Sequence, residues 1–218
     1  MKLVVFDVDG TLVDSQHLIC ASMGRGFDLV GLETPDRPRI LSCVGLSLDR
    51  AVAELAPDAD DAVQRRIAAG YRSAFSFGRI VEQPPLYPGA RDCLDLLSAR
   101  DDLLLAVATG KSRRGVNSMI EAHGLAGFFV NLQTADDHPS KPDPAMLRAA
   151  IFETGGDASS SVMIGDTGYD MQMAGAAGVA GFGVAWGYHD AAMLREAGAA
   201  LVAPDFQTLT REIERWAG

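Results

Sequence analysis

Positive charge is in short supply in this sequence. Nineteen lysines and arginines stand against 29 aspartates and glutamates, for a formal net charge of −10. Sequence-independent binding to nucleic acid depends on Lys and Arg neutralising phosphates, so no nucleic-acid partner is expected. An anionic lipid surface is disfavoured for the same reason. Cysteine is scarce as well. Cys20, Cys43 and Cys93 are odd in number and form no CxxC pair, which argues against a disulfide framework and for a reducing, cytoplasmic setting. Long apolar runs are missing: none reaches the length of a membrane span. The opening run Leu3-Val4-Val5-Phe6 is broken at Asp7, too early for a signal-peptide core. What remains is ordinary in amount. With 48% hydrophobic and 22% charged residues, 218 residues can bury a sizeable core, as one large domain or one domain carrying an insertion.

The pattern along the chain separates two kinds of segment. Residues 3–8 form a short apolar run rich in valine that ends in acids, glycine and threonine, as a buried strand entering a loop does. From about residue 100 a regular alternation sets in. Short apolar runs at 103–108, 128–132, 162–164, 181–184 and 200–202 read as strands, and 112–123, 144–152, 169–177, 191–197 and 206–216 read as helices. That alternation predicts a doubly wound, mostly parallel, Rossmann-like α/β sheet with helices on both faces. Residues 15–83 break the rhythm, with helix-like stretches at 17–30, 48–55 and 61–77 and no clear strand. Ser15 suits an N-cap at one end, and Pro84-Pro85 with Pro88-Gly89 suits a linker at the other. The expected organisation is an α/β core of residues 1–14 and 84–218 with a helical insertion, 15–83, that starts just past the 7–11 loop and is placed to cover it.

Four pieces carry chemistry. The first is Asp7-Val8-Asp9-Gly10-Thr11. Strand alternation would aim Asp7 and Asp9 to one side, near the carboxyl end where open α/β sheets bind ligands. Two such carboxylates repel by very roughly 1 to 4 kcal/mol at about 4 Å, so a cation or a proton must offset them. The second is Gly165-Asp166-Thr167-Gly168-Tyr169-Asp170, after the apolar Val162-Met163-Ile164. Asp166 and Asp170, four apart, share a helix face or its N-terminal mouth, where acids also serve as ordinary caps. An all-oxygen carboxylate set suits Mg²⁺, which takes one or two carboxylates together with substrate phosphate. The third piece is Thr109-Gly110, a hydroxyl and an unhindered N–H before a helix, a ready anion site although many strands end in such turns. The fourth is Lys141, held between Ser140 and Pro142-Asp143-Pro144.

Taken together, in this order and with these flanking strands, the pieces resemble the haloacid dehalogenase-like hydrolase superfamily, over most of the chain from Asp7 to Asp170. The segments Asp7–Ser15, Ala108-Thr109-Gly110-Lys111-Ser112 and Lys141-Pro142-Asp143-Pro144 are most similar to its phosphoglycolate phosphatase-like branch. The helical stretch then looks like that superfamily's α-helical cap. The resemblance implies a Mg²⁺-dependent phosphatase acting on a small phosphorylated metabolite. In it Asp7 is the nucleophile that carries an aspartyl-phosphate, and Asp9 is the general acid and base whose backbone carbonyl also binds metal. Thr109 and the Gly110 amide hold the phosphoryl oxygens, and Lys141 pairs with Asp7 and the transferring group. Asp166 binds Mg²⁺, and Asp170 supports it directly or through water.

Several alternatives share the scaffold. A carbon–halogen dehalogenase needs no second acid, yet Asp9 is present. A mutase similar to β-phosphoglucomutase carries an arginine after Gly-x-Ser and a histidine soon after the first motif; here Leu48 and Ile19 stand there. An inorganic pyrophosphatase is a further alternative, and a phospho-aspartate signalling switch is the non-enzymatic one. Arg39, Arg50, Tyr71 and Arg72 of the insertion are candidates to meet an anionic leaving group. His17 is a marginal candidate to reach the site, and none of His17, His123, His138 and His189 has metal-ligand spacing. Lys111 and Arg113-Arg114 read as a solvated helix start, and Trp186 and Trp216 as packing residues.

Overall fold

The computed structural model describes residues 1–77 and 83–218. Residues 78–82, near the end of the expected insertion, lie outside the described residues. Among the described residues the chain opens with strand β1 (Lys2–Phe6) and passes through helices α1 (Gln16–Asp28), α2 (Arg37–Leu41), α3 (Leu48–Leu55) and α4 (Asp61–Phe77). It then alternates through α5 (Ala90–Ser98), β2 (Leu103–Thr109), α6 (Arg113–Ala122), β3 (Asn131–Thr134), α7 (Ala145–Glu153), β4 (Ser161–Gly165), α8 (Gly168–Ala177), β5 (Ala180–Val184), α9 (Ala191–Glu196), β6 (Leu201–Ala203) and α10 (Phe206–Ala217). The strands form one parallel sheet in the order β3-β2-β1-β4-β5-β6. The α/β reading of the sequence holds.

Period-two alternation explains the layers. Val4 and Phe6 of β1, Leu105 and Val107 of β2, and Val162 and Ile164 of β4 face one side, where Leu94 of α5 and Leu209 of α10 close over them. Leu3, Val5, Ala106, Ala108 and Met163 face the other, against Met146 and Leu147 of α7 and Met173 of α8. β1 is flanked by β2 on one side and by β4 on the other. The strand order therefore reverses around it, and a crevice opens beyond its carboxyl end.

Helices α1 to α4 fill a third cluster of their own, with Ile19, Met23, Phe27, Val52 and Ile67 at its centre. No helix among the described residues is long and apolar enough to cross a membrane.

Differences from the sequence reading fall at ends and short elements. β3 occupies Asn131–Thr134 rather than 128–132, because Phe128 closes a turn onto Leu125 and Val130 is exposed. β3 is an edge strand, so it tolerates Asn131 and Gln133, which hydrogen-bond to each other and to Glu153. α2 is a single short turn capped by Asp36, too brief to show a period. α5 starts directly after Pro88-Gly89; its apolar Ala90, Cys93, Leu94 and Leu97 carry the helical spacing that the linker reading of the prolines passed over.

Ile67 is fully buried where α4 meets α1. Ile67→Ala is expected to destabilise by roughly 2 to 5 kcal/mol through lost burial and the cavity left behind. At roughly 2 to 4 °C per kcal/mol for a chain of this size, thermal unfolding should show a clear fall in midpoint. An unchanged midpoint would show that this cluster does not unfold with the transition being measured.

Candidate active site

Three adjacent strands end together. Asp7 follows β1 immediately, Thr109 is the last residue of β2, and Asp166 follows β4. The Asp7 N–H donates to the Ile164 carbonyl (2.9 Å), so the pairing of β1 with β4 extends to the acid and fixes it beside Asp166. Helix α8 adds the third acid. Thr167 caps it, and the Asp170 carboxylate reaches back to accept from the Thr167 N–H (3.0 Å) and hydroxyl (2.6 Å), closing a capping box. The result is a group of carboxylate oxygens from Asp7, Asp166 and Asp170, all within 4.8 Å of one another and all buried. Lys141 is buried with them: its Nζ donates to Asp170 Oδ1 (2.6 Å) and lies 3.0 Å from Asp7 Oδ1 as an ion pair.

The carboxylates differ in how well they are satisfied. Asp166 accepts from the Thr11 hydroxyl (2.9 Å) and from the Tyr188 N–H (2.9 Å). Asp170 is committed to Lys141 and Thr167. Both oxygens of Asp7 are buried without a hydrogen-bond partner among the described residues, the Lys141 contact being an ion pair outside hydrogen-bonding geometry. Burial pushes the Asp7 carboxyl up to about 6, with Lys141 opposing and the Asp170 charge adding to the rise. Asp166 is pushed well above the usual carboxylate range, by burial first and then by the Asp170 and Asp7 charges. Burial alone would lower the Lys141 ammonium, but the Asp170 and Asp7 charges outweigh it and hold it above its ordinary value. Three carboxylates around one ammonium leave two negative charges in excess, which is the charge of a divalent cation. Orphaned oxygens, an all-oxygen donor set and that excess fit Mg²⁺.

Asp9 goes elsewhere. β1 has ended at Phe6, so the alternation expected to align Asp7 and Asp9 no longer applies. The Asp9 carboxylate stands outside the trio and accepts from Lys111 Nζ at 2.9 and 3.1 Å. Lys111 is thus not the solvated residue the sequence suggested; its side chain is 14% exposed, beside a 13% exposed Asp9. Thr109 at the end of β2 and Gly110 after it line the same cleft as the two acids. The carbonyls of Gly45 and Leu46 lie against Gly110, 2.6 Å from where a β-carbon would stand, so only glycine admits the helical segment this closely. That loop is tied down further by Ser47 N–H donating to Ser140 Oγ (2.9 Å) and by Tyr169 Oη donating to the Ser42 carbonyl (3.3 Å). His189 also joins it. Its Nδ1 accepts from the Gly168 N–H (3.1 Å), which leaves Nε2–H facing the Ser42 carbonyl (3.3 Å).

Between the sheet ends and the helices lies a cavity of about 670 Å³, lined by Asp7, Asp9, Thr109, Gly110 and Lys111 on one side and by Leu18, Val44, Leu48, Tyr71 and Arg72 on the other. Of the four insertion residues singled out from sequence, Tyr71 and Arg72 line it. Arg39 instead donates to the Glu54 carbonyl (2.7 Å), and Arg50 pairs with the Glu54 carboxylate (2.7 Å), both away from the cavity. His17 is exposed and does not line it. Ser15 does begin α1, but its hydroxyl meets Tyr188 Oη (3.0 Å) rather than the helix backbone. Trp186 packs on Phe206 as expected and also donates from Nε1 to the Thr11 carbonyl (3.0 Å), bracing the loop that carries the acids.

The sequence profile of the family described as "Haloacid dehalogenase-like hydrolase" matches residues 4–184. The chain belongs to that family. It is 34% identical over 209 residues to "Probable phosphatase IndB" of Dickeya dadantii, covering 94% of this chain and 90% of the relative. A "Phosphoglycolate phosphatase" of Agrobacterium fabrum is 33% identical over 218 residues, with 95% and 90% covered. A solved structure described as a hydrolase from Pseudomonas syringae superposes with a TM-score of 0.88 at 27% identity, over 99% of both chains. The enzyme class expected from the motifs, a phosphoric monoester hydrolase, accords with these relatives.

Mg²⁺ that binds the folded trio alone should raise thermal stability. At about 100 times its dissociation constant the linkage is roughly 2.7 kcal/mol, or on the order of 5 to 11 °C for a chain of this size. Asp166→Asn should lose most of that rise. Equal Mg²⁺ shifts in the two proteins would show that the ion binds elsewhere.

Proposed function

We propose that this chain is a Mg²⁺-dependent phosphatase that transfers the phosphoryl group of a small phosphate monoester to Asp7 and then to water. One observation carries the reading: Asp7 is buried beside Lys141 and a cation-demanding pair of acids, yet among the described residues both its carboxylate oxygens lack a hydrogen-bond partner. A purely structural aspartate at 1% exposure would be expected to have its lone pairs satisfied.

On this reading each group has a task. Asp7 attacks phosphorus through one oxygen. Thr109 and the Gly110 N–H, at the rim beside it, hold the equatorial phosphoryl oxygens. Lys141 keeps Asp7 charged and oriented and neutralises part of the charge on the transferring group. Asp9 supplies a proton to the departing alkoxide and later takes one from the attacking water. Asp7, Asp166, the Asp9 carbonyl and, directly or through water, Asp170 would hold Mg²⁺, which supplies charge neutralisation and alignment when bound. Helices α1 to α4, within the proposed cap of residues 15–83, close the site from above. Closure excludes water and places the insertion's residues against the leaving group. Covalent transfer followed by hydrolysis replaces one difficult displacement with two easier ones, and phosphate monoesters are among the slowest substrates to react unaided.

The two acids of the first loop should separate cleanly by substitution. Asp7→Asn should form no phosphoenzyme with any substrate. Asp9→Asn should still be attacked when the leaving group needs no proton, giving a nitrophenolate burst near one equivalent. Turnover should then be slower by about 10² to 10⁴, the usual range for lost general acid–base catalysis. Mass mapping of acid-stable, hydroxylamine-labile phosphate should place it on Asp7. Its appearance on another residue, or an equal burst in both variants, would remove Asp7 from the role. Phosphate release across phosphoglycolate, pyrophosphate, sugar phosphates and nucleotides then identifies the substrate.

A further inference from the structure

We infer that Lys111 is a positioning residue for Asp9, holding its carboxylate at the leaving-group side of the cleft. This rests on the phosphatase reading above and assigns a residue that the sequence pattern did not. Among the described residues the Asp9 carboxylate accepts hydrogen bonds from Lys111 Nζ alone, at 2.9 and 3.1 Å to its two oxygens. A short acid on a loop, with no other hydrogen-bond partner for its side chain among the described residues, has its rotamer set by this contact. Both side chains line the cavity, on the same side as Asp7.

The surrounding structure is shaped to hold the lysine. Lys111 directly follows the Thr109-Gly110 rim, and its N–H donates to Thr109 Oγ1 (3.3 Å). Its carbonyl accepts from the Ala135 N–H (3.3 Å). The stem then runs over Gly115 in the first turn of α6. A β-carbon at Gly115 would stand 2.9 Å from Lys111 Cγ and 3.0 Å from Cε. Glycine inside a helix is less favourable than alanine by about 1 kcal/mol. Here its missing side chain is the channel through which Lys111 reaches Asp9. An added methyl would crowd the stem from Cγ to Cε, so the lysine would have to shift along its length. The sequence, the helix turn and the ion pair thus converge on one function: delivery of a cation to the acid whose alignment limits proton transfer.

The test uses the full chain with Mg²⁺. It compares an alkyl phosphate, which needs the proton from Asp9, with p-nitrophenyl phosphate, which does not. Lys111→Met keeps the stem and removes the charge. The expected result is a fall of about 10- to 100-fold in kcat on the alkyl substrate with KM within about threefold, the scale of a misplaced catalytic group. The nitrophenolate burst should stay near one equivalent, and acid-quenched phosphoenzyme should accumulate because its hydrolysis also needs Asp9. Lys111→Arg should restore part of kcat, since a guanidinium can still bond both carboxylate oxygens. Gly115→Ala, with its unfolding midpoint checked, should reproduce the Lys111→Met pattern more weakly. A tenfold rise in KM at unchanged kcat would make Lys111 a substrate contact and overturn the inference. So would unchanged kinetics, or equal loss on both substrates together with loss of the burst. A wild-type chain that turns over while Lys111→Met behaves like it would sink this inference alone; a wild-type chain with no phosphatase turnover sinks both readings.

Discussion

Three buried carboxylates are gathered at one place, two of them on a single ammonium, and the local detail of the strand ends follows from keeping them together. Two like charges about 4 Å apart repel by about 4 kcal/mol even at an effective dielectric of 20. Against a folding stability of about 5 to 15 kcal/mol, a trio left unsupported would be a serious liability. The fold opposes this with specific groups: Lys141 between Asp7 and Asp170, Thr11 and the Tyr188 amide on Asp166, and the Thr167 cap on Asp170. Burial first, and the neighbouring acids after it, still hold the Asp7 and Asp166 carboxyls above their ordinary range. A site so built is a demand for positive charge, one that the sheet imposes by ending β1 and β4 side by side.

The division between sheet and helices separates precision from adaptability. Every member of the trio, with Thr109, stands on or next to a strand end or helix start whose neighbours are buried against the sheet, and Lys141 reaches them from the loop between β3 and α7. The helices α1 to α4 instead pack mainly on one another. They meet the sheet's rim where Gly45 and Leu46 lie on Gly110 and Tyr169 packs against their cluster, and through polar contacts of Ser42 with Tyr169 and His189 and of Ser47 with Ser140. Hydrogen bonds of this kind are worth about 1 kcal/mol each net, far less than burial of a core helix face. That contrast accords with the proposed division into a core that holds the acids and a helical cap able to part from it.

What could be read from the sequence followed from how local its cause was. The parallel sheet was legible because each strand is a short apolar run with helical spacing between, and the acids were legible because they follow those runs directly. α5 carried its signal in Ala90, Cys93, Leu94 and Leu97 and was obscured only by the prolines before it. Lys111 was a different kind of miss. Nothing in Lys111-Ser112-Arg113-Arg114 distinguishes a buried cation from a solvated helix start, since its partner Asp9 is 102 residues away. Tyr188 and His189 were hidden for the same reason: one meets Asp166 through a backbone N–H, and the other meets the insertion at Ser42. Backbone donors and contacts between distant segments leave no residue-type pattern to find.

Asp7 and Asp9 show how little of a role lies in the residue type. They are the same side chain two positions apart on one loop, and strict strand alternation would have made them equivalent. The ladder stops instead at Phe6, with the Asp7 amide as its final donor to Ile164. Asp7 is thereby fixed at the buried floor of the cavity, its oxygens gathered with those of Asp166 and Asp170 and, among the described residues, ion-paired to Lys141 without a hydrogen-bond partner. Asp9, past the end of the sheet, turns toward the cavity and is held by a lysine from the next strand's loop. A nucleophile needs exposed lone pairs, a rigid line of attack and nearby positive charge; a proton carrier needs access to the leaving group and some freedom to exchange partners. On the proposed reading, the end of one strand's hydrogen bonding gives the first set of conditions to Asp7 and the second to Asp9.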